Sequence, residues 1–111
     1  MAYDETLAAR IRDVFGPRTD LREQKMFGGL AFMVGGHMAV GIVGDELMLR
    51  LGEEGAETVL GEPHVRPMDF TGRPMTGFVF VAPEGTATDA ALKGYVERAL
   101  AFNSALPPKG R

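Results

Sequence analysis

Apolar side chains recur at helical spacing near the N-terminus, where Tyr3, Leu7, Ile11, Val14 and Phe15 are interleaved with Asp4, Glu5, Arg10, Arg12 and Asp13. The spacing predicts an amphipathic helix over residues 3–15. Gly16-Pro17 ends it, a residue tolerant of left-handed dihedrals followed by one that cannot continue a helix. From Gln24 onward the pattern changes to short apolar runs divided by glycine-rich pairs, the signature of a strand meander. Lys25–Val34 is the first expected strand, His37–Val43 the second and Glu46–Leu51 the third. Gly35-Gly36 and Gly44-Asp45 provide the turns, because glycine takes positive φ at no steric cost.

In the third strand Leu47, Leu49 and Leu51 alternate with Glu46, Met48 and Arg50, so one face is buried and the other amphipathic. Glu53, Glu54 and Glu57 then open a brief helix that closes at Gly61, its carboxylates placed at the positive end of the helix dipole. His64–Phe70 and Met75–Val81 read as two further strands around the turn Thr71-Gly72-Arg73-Pro74, with Phe78 and Phe80 on one face and Val79 and Val81 on the other. A last helix of about four turns follows, with Thr86 and Thr88 as candidate N-caps and Leu92, Tyr95, Val96, Ala99 and Leu100 as its apolar stripe. The expected fold is α+β with order α-β-β-β-α-β-β-α: a mostly antiparallel five-stranded sheet with packed helices. One domain is expected over residues 1–106 and a disordered tail over 107–111.

Composition narrows the function classes. With 45% hydrophobic and 24% charged residues among 111, the chain can bury a core and fits a single domain. Twelve basic against fifteen acidic side chains give a net charge of −3, the opposite of the basic footprint of a nucleic-acid binder. No direct nucleic-acid contact is expected. Cysteine is absent, which removes disulfides and thiolate chemistry and accords with a cytoplasmic location. The longest apolar region, Leu30 to Val43, is broken by Gly35, Gly36, His37 and Gly41 and falls short of the roughly 18–20 residues of a membrane span. No membrane contact is expected.

Candidate chemistry is sparse. His37 and His64 lack the spacing of a helical metal site, so no metal or other cofactor is expected. Ser104 is the only serine and falls at the end of the last helix. The carboxylates Asp45, Glu46, Glu53, Glu54, Glu62 and Glu84 fall at turns or helix starts and read as solvated, and no catalytic residue is assigned. Gly28-Gly29 lacks the spacing of a phosphate loop and fits a bulge or a close backbone approach beneath a packed helix. Arg66 and Arg73 head repeated Arg-Pro-Met triplets in which proline suits an edge strand. As an alternative, Arg66 and Arg73 with Gly28 and Gly29 could hold a small anionic ligand. The methionines fill a core or form an adaptable contact face, with Met26, Met38, Met48 and Met75 as the outward candidates.

Two stretches carry a family resemblance. Lys25-Met26-Phe27-Gly28-Gly29, followed by a hairpin and Asp45-Glu46-Leu47-Met48-Leu49-Arg50, resembles the signature region of the N-terminal domain of the TfoX/Sxy family of bacterial competence regulators. Arg73-Pro74-Met75-Thr76-Gly77-Phe78-Val79-Phe80-Val81 resembles the later part of the same domain, so the likeness spans about residues 3–104. It implies a fold like that of type III secretion chaperones, which often pair, and a regulatory role linked to competence or transcription. Full-length members carry a second, C-terminal domain, so this chain is expected to be a stand-alone member. The expectation is a non-enzymatic interaction domain, a homodimer or the binder of an unidentified protein, since apolar residues on both sheet faces outnumber the cover three helices supply.

Overall fold

The computed structural model describes residues 3–26, 28–70 and 73–106, with residues 26, 68–70 and 73–76 described by backbone alone. The tail expected over 107–111 and the turn residues Thr71 and Gly72 lie outside that set. In chain order the elements are α1 (Glu5–Phe15), β1 (Leu21–Met26), β2 (Gly29–Val34), β3 (His37–Val43), β4 (Glu46–Arg50), α2 (Gly52–Val59), β5 (Val65–Phe70), β6 (Arg73–Val81), a short 3-10 turn (Pro83–Thr86) and α3 (Asp89–Ser104). The strands form one antiparallel sheet in the order β1-β2-β3-β4-β6-β5. The fold is therefore α+β and antiparallel, as the pattern implies.

The sheet has six strands, not five. The expected first strand, Lys25–Val34, is two strands folded at Met26↔Gly29, with Leu21–Met26 forming the added β1. Its residues Arg22, Glu23, Gln24 and Lys25 are all exposed. An edge strand with little to bury shows no apolar alternation, so its sequence resembles a loop.

Gly29 makes this hairpin. A Cβ there would sit 2.0 Å from the carbonyl oxygen of Ile42 on β3, so the two backbones approach too closely for any side chain. Of the readings open for Gly28-Gly29, close backbone approach applies at Gly29, although the neighbour is a strand rather than a helix.

Helix ends follow local chemistry. The Asp4 carboxylate accepts the amides of Thr6 at 2.9 Å and Leu7 at 3.1 Å, and Gly16 closes α1 with φ 68°. Thr88, not Thr86, caps α3 through the Ala91 amide at 3.1 Å. All three helices bury their apolar sides on the same face of the sheet: Leu7, Ile11 and Phe15 from α1, Ala56 and Val59 from α2, and Leu92, Val96 and Ala99 from α3. They meet Leu30, Phe32 and Val34 of β2, Val40 and Ile42 of β3, Leu47 and Leu49 of β4, and Val79 and Val81 of β6. Phe15 stacks on Phe32 with ring centroids 5.8 Å apart. The amide nitrogen of the buried Asn103 donates to the Val34 carbonyl at 3.2 Å, tying the end of α3 to β2.

A bulge in β3 decides which side of the sheet Met38 occupies. The register slips between Phe32↔Val40 and Met33↔Met38, so Ala39 is the extra residue. Ala39 and Val40 both enter the helix-side core. Met38 is thereby paired with Met33 on the other side.

Gly29→Ala forces backbone displacement and is expected to cost about 2–3 kcal/mol, at the upper end of overpacking penalties. Gly28→Ala meets open space at φ +73° and should cost only about 1 kcal/mol, the left-handed penalty of an L-residue. Urea unfolding of both variants checks this, and equal losses would contradict close approach as the reason for Gly29.

Candidate functional site

Residues directly opposite one another in an antiparallel sheet share a face, and one such row crosses the sheet on the side away from the helices. It runs Gln24, Ala31, Gly41, Met48, Phe80, Arg66, from β1 to β5. Beside it stand the pairs Met33↔Met38, Val43↔Glu46 and Arg50↔Phe78. Met48 and Phe80 form a second small apolar cluster against which Met38, Val43 and Phe78 pack, all three half-buried. No described helix contributes to this cluster.

Long side chains give the face part of its cover. The Met48 methyl rests over Gly41, where a Cβ would come within 2.6 Å of it. The Arg66 guanidinium lies 4.5 Å from the Phe80 ring centroid and ion-pairs with the Glu46 carboxylate through Nε and Nη2. The Arg50 guanidinium carbon lies 5.9 Å from the ring centroid of Phe78 and 5.7 Å from that of Phe102 of α3. These cation–π contacts keep the arginine stems pressed on apolar surface.

The sequence-derived site residues separate accordingly. Gly28 and Gly29 stand at the β1–β2 end of the sheet and Arg66 on β5 at the other, about 19 Å apart for four strand spacings from β2. Arg73 lies opposite Phe70, four residues along β5 from Arg66, or roughly 13 Å. Gly28-Gly29 and Arg66 therefore stand at opposite ends of the sheet, and Arg66 pairs with Glu46. Pro67 does fall on an edge strand, beside a register shift between Pro67 and Asp69. Of the methionines named as outward, Met38 is half-buried on the open face, and Met26 and Met75 have only their backbone described. Met48 is on that face but fully buried, which corrects its reading as an outward contact. Met48→Glu would bury a charge rather than trim a surface.

Two carboxylates read as solvated are engaged instead. Glu46 pairs with Arg66, twenty residues away, a distance that carries no sequence signal. Glu62 accepts the Tyr95 hydroxyl at 2.8 Å and Arg98 Nη1 at 2.9 Å, which joins the α2–β5 turn to α3. The Tyr95 hydrogen bond, with Arg98, holds the Glu62 carboxyl below the usual glutamate range, and burial with the Glu62 contact pushes the Tyr95 phenol up. Tyr95 belongs to the apolar stripe of α3, so periodicity conceals its polar end.

A groove of about 430 Å³ lies between the β2–β3 turn and the C-terminal part of α3, lined by Arg18, Asp20, Val34, His37, Leu100 and Asn103 among others. Of its polar groups, Arg18 pairs with Asp20, and Asn103 donates to the Val34 carbonyl. Ser104 donates to the Ala101 carbonyl at 2.9 Å. Among the described residues no three His, Asp or Glu side chains cluster as a metal centre would require, and no helix is long and apolar enough to cross a membrane.

An antiparallel sheet with helices on one side and a half-covered apolar face on the other defines a domain built around its sheet surface. The TfoX N-terminal domain family model matches residues 13–103, most of the chain, and the protein belongs to that family. No curated protein and no solved structure gives a match, so the likeness to secretion chaperones has no support from those comparisons.

Because the Glu62 pKa is lowered in the folded state, the stability it contributes is present above pH 4.5, its ordinary value, and is lost as pH falls through the lowered one. Tyr95→Phe should therefore lower the melting temperature at pH 7, and the gap from wild type should shrink below pH 4. Thermal melts by circular dichroism across pH 3–7 measure this, and a gap constant with pH would contradict it.

Proposed function

We propose that the chain is a non-enzymatic interaction domain that acts as a homodimer and presents its sheet, not its helices, to other proteins. The single observation carrying this reading is the one-sided placement of the helices. The sheet has apolar side chains on both faces, yet α1, α2 and α3 all pack on one. Met33, Met38, Val43 and Phe78 are left half-buried on the other. Apolar surface of this kind on a small domain marks a contact region more often than a catalytic one.

The engaged polar groups favour the same reading over catalysis or anion capture. Arg66 is held by Glu46, Glu62 by Tyr95 and Arg98, and Arg12 by Glu23, so these groups are spent on structure. Membership of the TfoX N-terminal family supports a regulatory setting, with a link to competence or transcription as the family-level form of this proposal.

Sedimentation equilibrium at high micromolar concentration should return twice the 12.0 kDa chain mass, falling toward one chain on dilution. A single 12.0 kDa species throughout that range would overturn the homodimer.

A further inference from the structure

The two edges of the sheet differ in a way that bears on where copies of the chain would join. β5 carries Pro67 and a register shift, both of which disrupt pairing with another strand. β1 has neither: it is six residues of regular register, Leu21↔Val34 to Met26↔Gly29, with no proline.

Backbone polarity along β1 follows from its pairing with β2. The Gly35 amide donates to the Asp20 carbonyl at 3.1 Å, and Met26↔Gly29 closes the hairpin. In an antiparallel ladder the inward-pointing residues alternate, so Arg22, Gln24 and Met26 are bonded to β2 while Leu21, Glu23 and Lys25 aim their N–H and C=O groups away from the sheet. A second β1 can bond only through that odd set.

Resting on the homodimer reading, we propose that two copies pair antiparallel through β1, about a two-fold axis at Gln24. Glu23 then lies opposite the partner subunit's Lys25, and Lys25 opposite the partner subunit's Glu23. Charge selects this register. Moving the axis to Glu23 sets Glu23 against its own copy, moving it to Arg22 sets Arg22 against its copy, and moving it to Lys25 does the same for lysine; each juxtaposes like charges. Of the four axes within the exposed run Arg22–Lys25, only the one at Gln24 sets unlike charges opposite each other at bonded positions, with four backbone hydrogen bonds at the two Glu23–Lys25 pairs. Glu23 also keeps Arg12 on its own chain, with contacts of 2.6 and 2.7 Å, so each end of the junction becomes an Arg–Glu–Lys cluster. The axis stands perpendicular to the sheet, so the two open faces lie on the same side and form one continuous twelve-stranded platform.

The test is a charge exchange followed by sedimentation. Lys25→Glu places two acidic pairs at the junction and Glu23→Lys two basic ones, so each variant alone should raise the dimer dissociation constant at least tenfold. Mixed together they restore both opposite-charge pairs, and a heterodimer should form with affinity within about threefold of wild type. Circular dichroism checks that each variant is folded. Should Glu23→Lys fail to fold through loss of the Arg12 pair, Lys25→Pro serves instead, since it removes an outward N–H without touching the bonds to β2; it too should weaken the dimer tenfold or more. A wild-type dimer indifferent to Lys25→Glu and Lys25→Pro, or single variants whose mixture stays monomeric, would overturn pairing through β1 and leave the homodimer standing. A wild-type monomer would overturn both.

Discussion

Six strands must hide apolar side chains on two faces, and this chain has helices for one. The constraint is geometric. Successive residues of a strand point to opposite sides, so Leu47, Leu49, Val79 and Val81 can enter the helix-side core only if Met48, Phe78 and Phe80 face the other way. With residues of both faces apolar, the alternation that fixes the core also fixes the second cluster. The bulge at Ala39 extends this to β3, turning Ala39 and Val40 inward together and leaving Met38 beside Met33.

The open face is furnished by economical means. Arginine guanidinium groups lie over aromatic rings, Arg66 over Phe80 and Arg50 near both Phe78 and Phe102, and a methionine methyl occupies the space above Gly41. Long side chains of this kind combine apolar stems with charged ends, which makes the surface tolerable in water and adaptable to a partner. The same arrangement gives the Arg66 guanidinium two partners within the fold, the Phe80 ring and the Glu46 carboxylate.

Much of the fold is legible in the sequence because burial writes periodicity into it. The alternation in β4 and β6, the Gly35-Gly36 turn with both φ angles positive, and the amphipathic α1 all stand where the pattern places them. β1 escapes because its only buried partner is β2 at its side, and Leu-Arg-Glu-Gln-Lys-Met carries no apolar alternation. The contacts on the open face escape for another reason. Glu46 with Arg66, and Glu62 with Tyr95, join residues 20 and 33 apart, and only the strand order β4-β6-β5 and the packing of α3 bring them together. The direction of the methionines is legible only in part: alternation puts Met48 on the outward face, but its burial depends on the missing side chain of Gly41 on the neighbouring strand.

Amide hydrogen exchange along β1 measures directly whether the sheet is the element through which copies meet. Arg22 and Gln24 donate inward to β2, so their protection should be independent of protein concentration, whereas Glu23 and Lys25 point outward and would be bonded only across the proposed β1–β1 junction. Protection at Glu23 and Lys25 that rises with concentration while Arg22 and Gln24 stay constant is the predicted result. Rapid exchange at Glu23 and Lys25 at every concentration, in a sample that sedimentation shows to be dimeric, would contradict it.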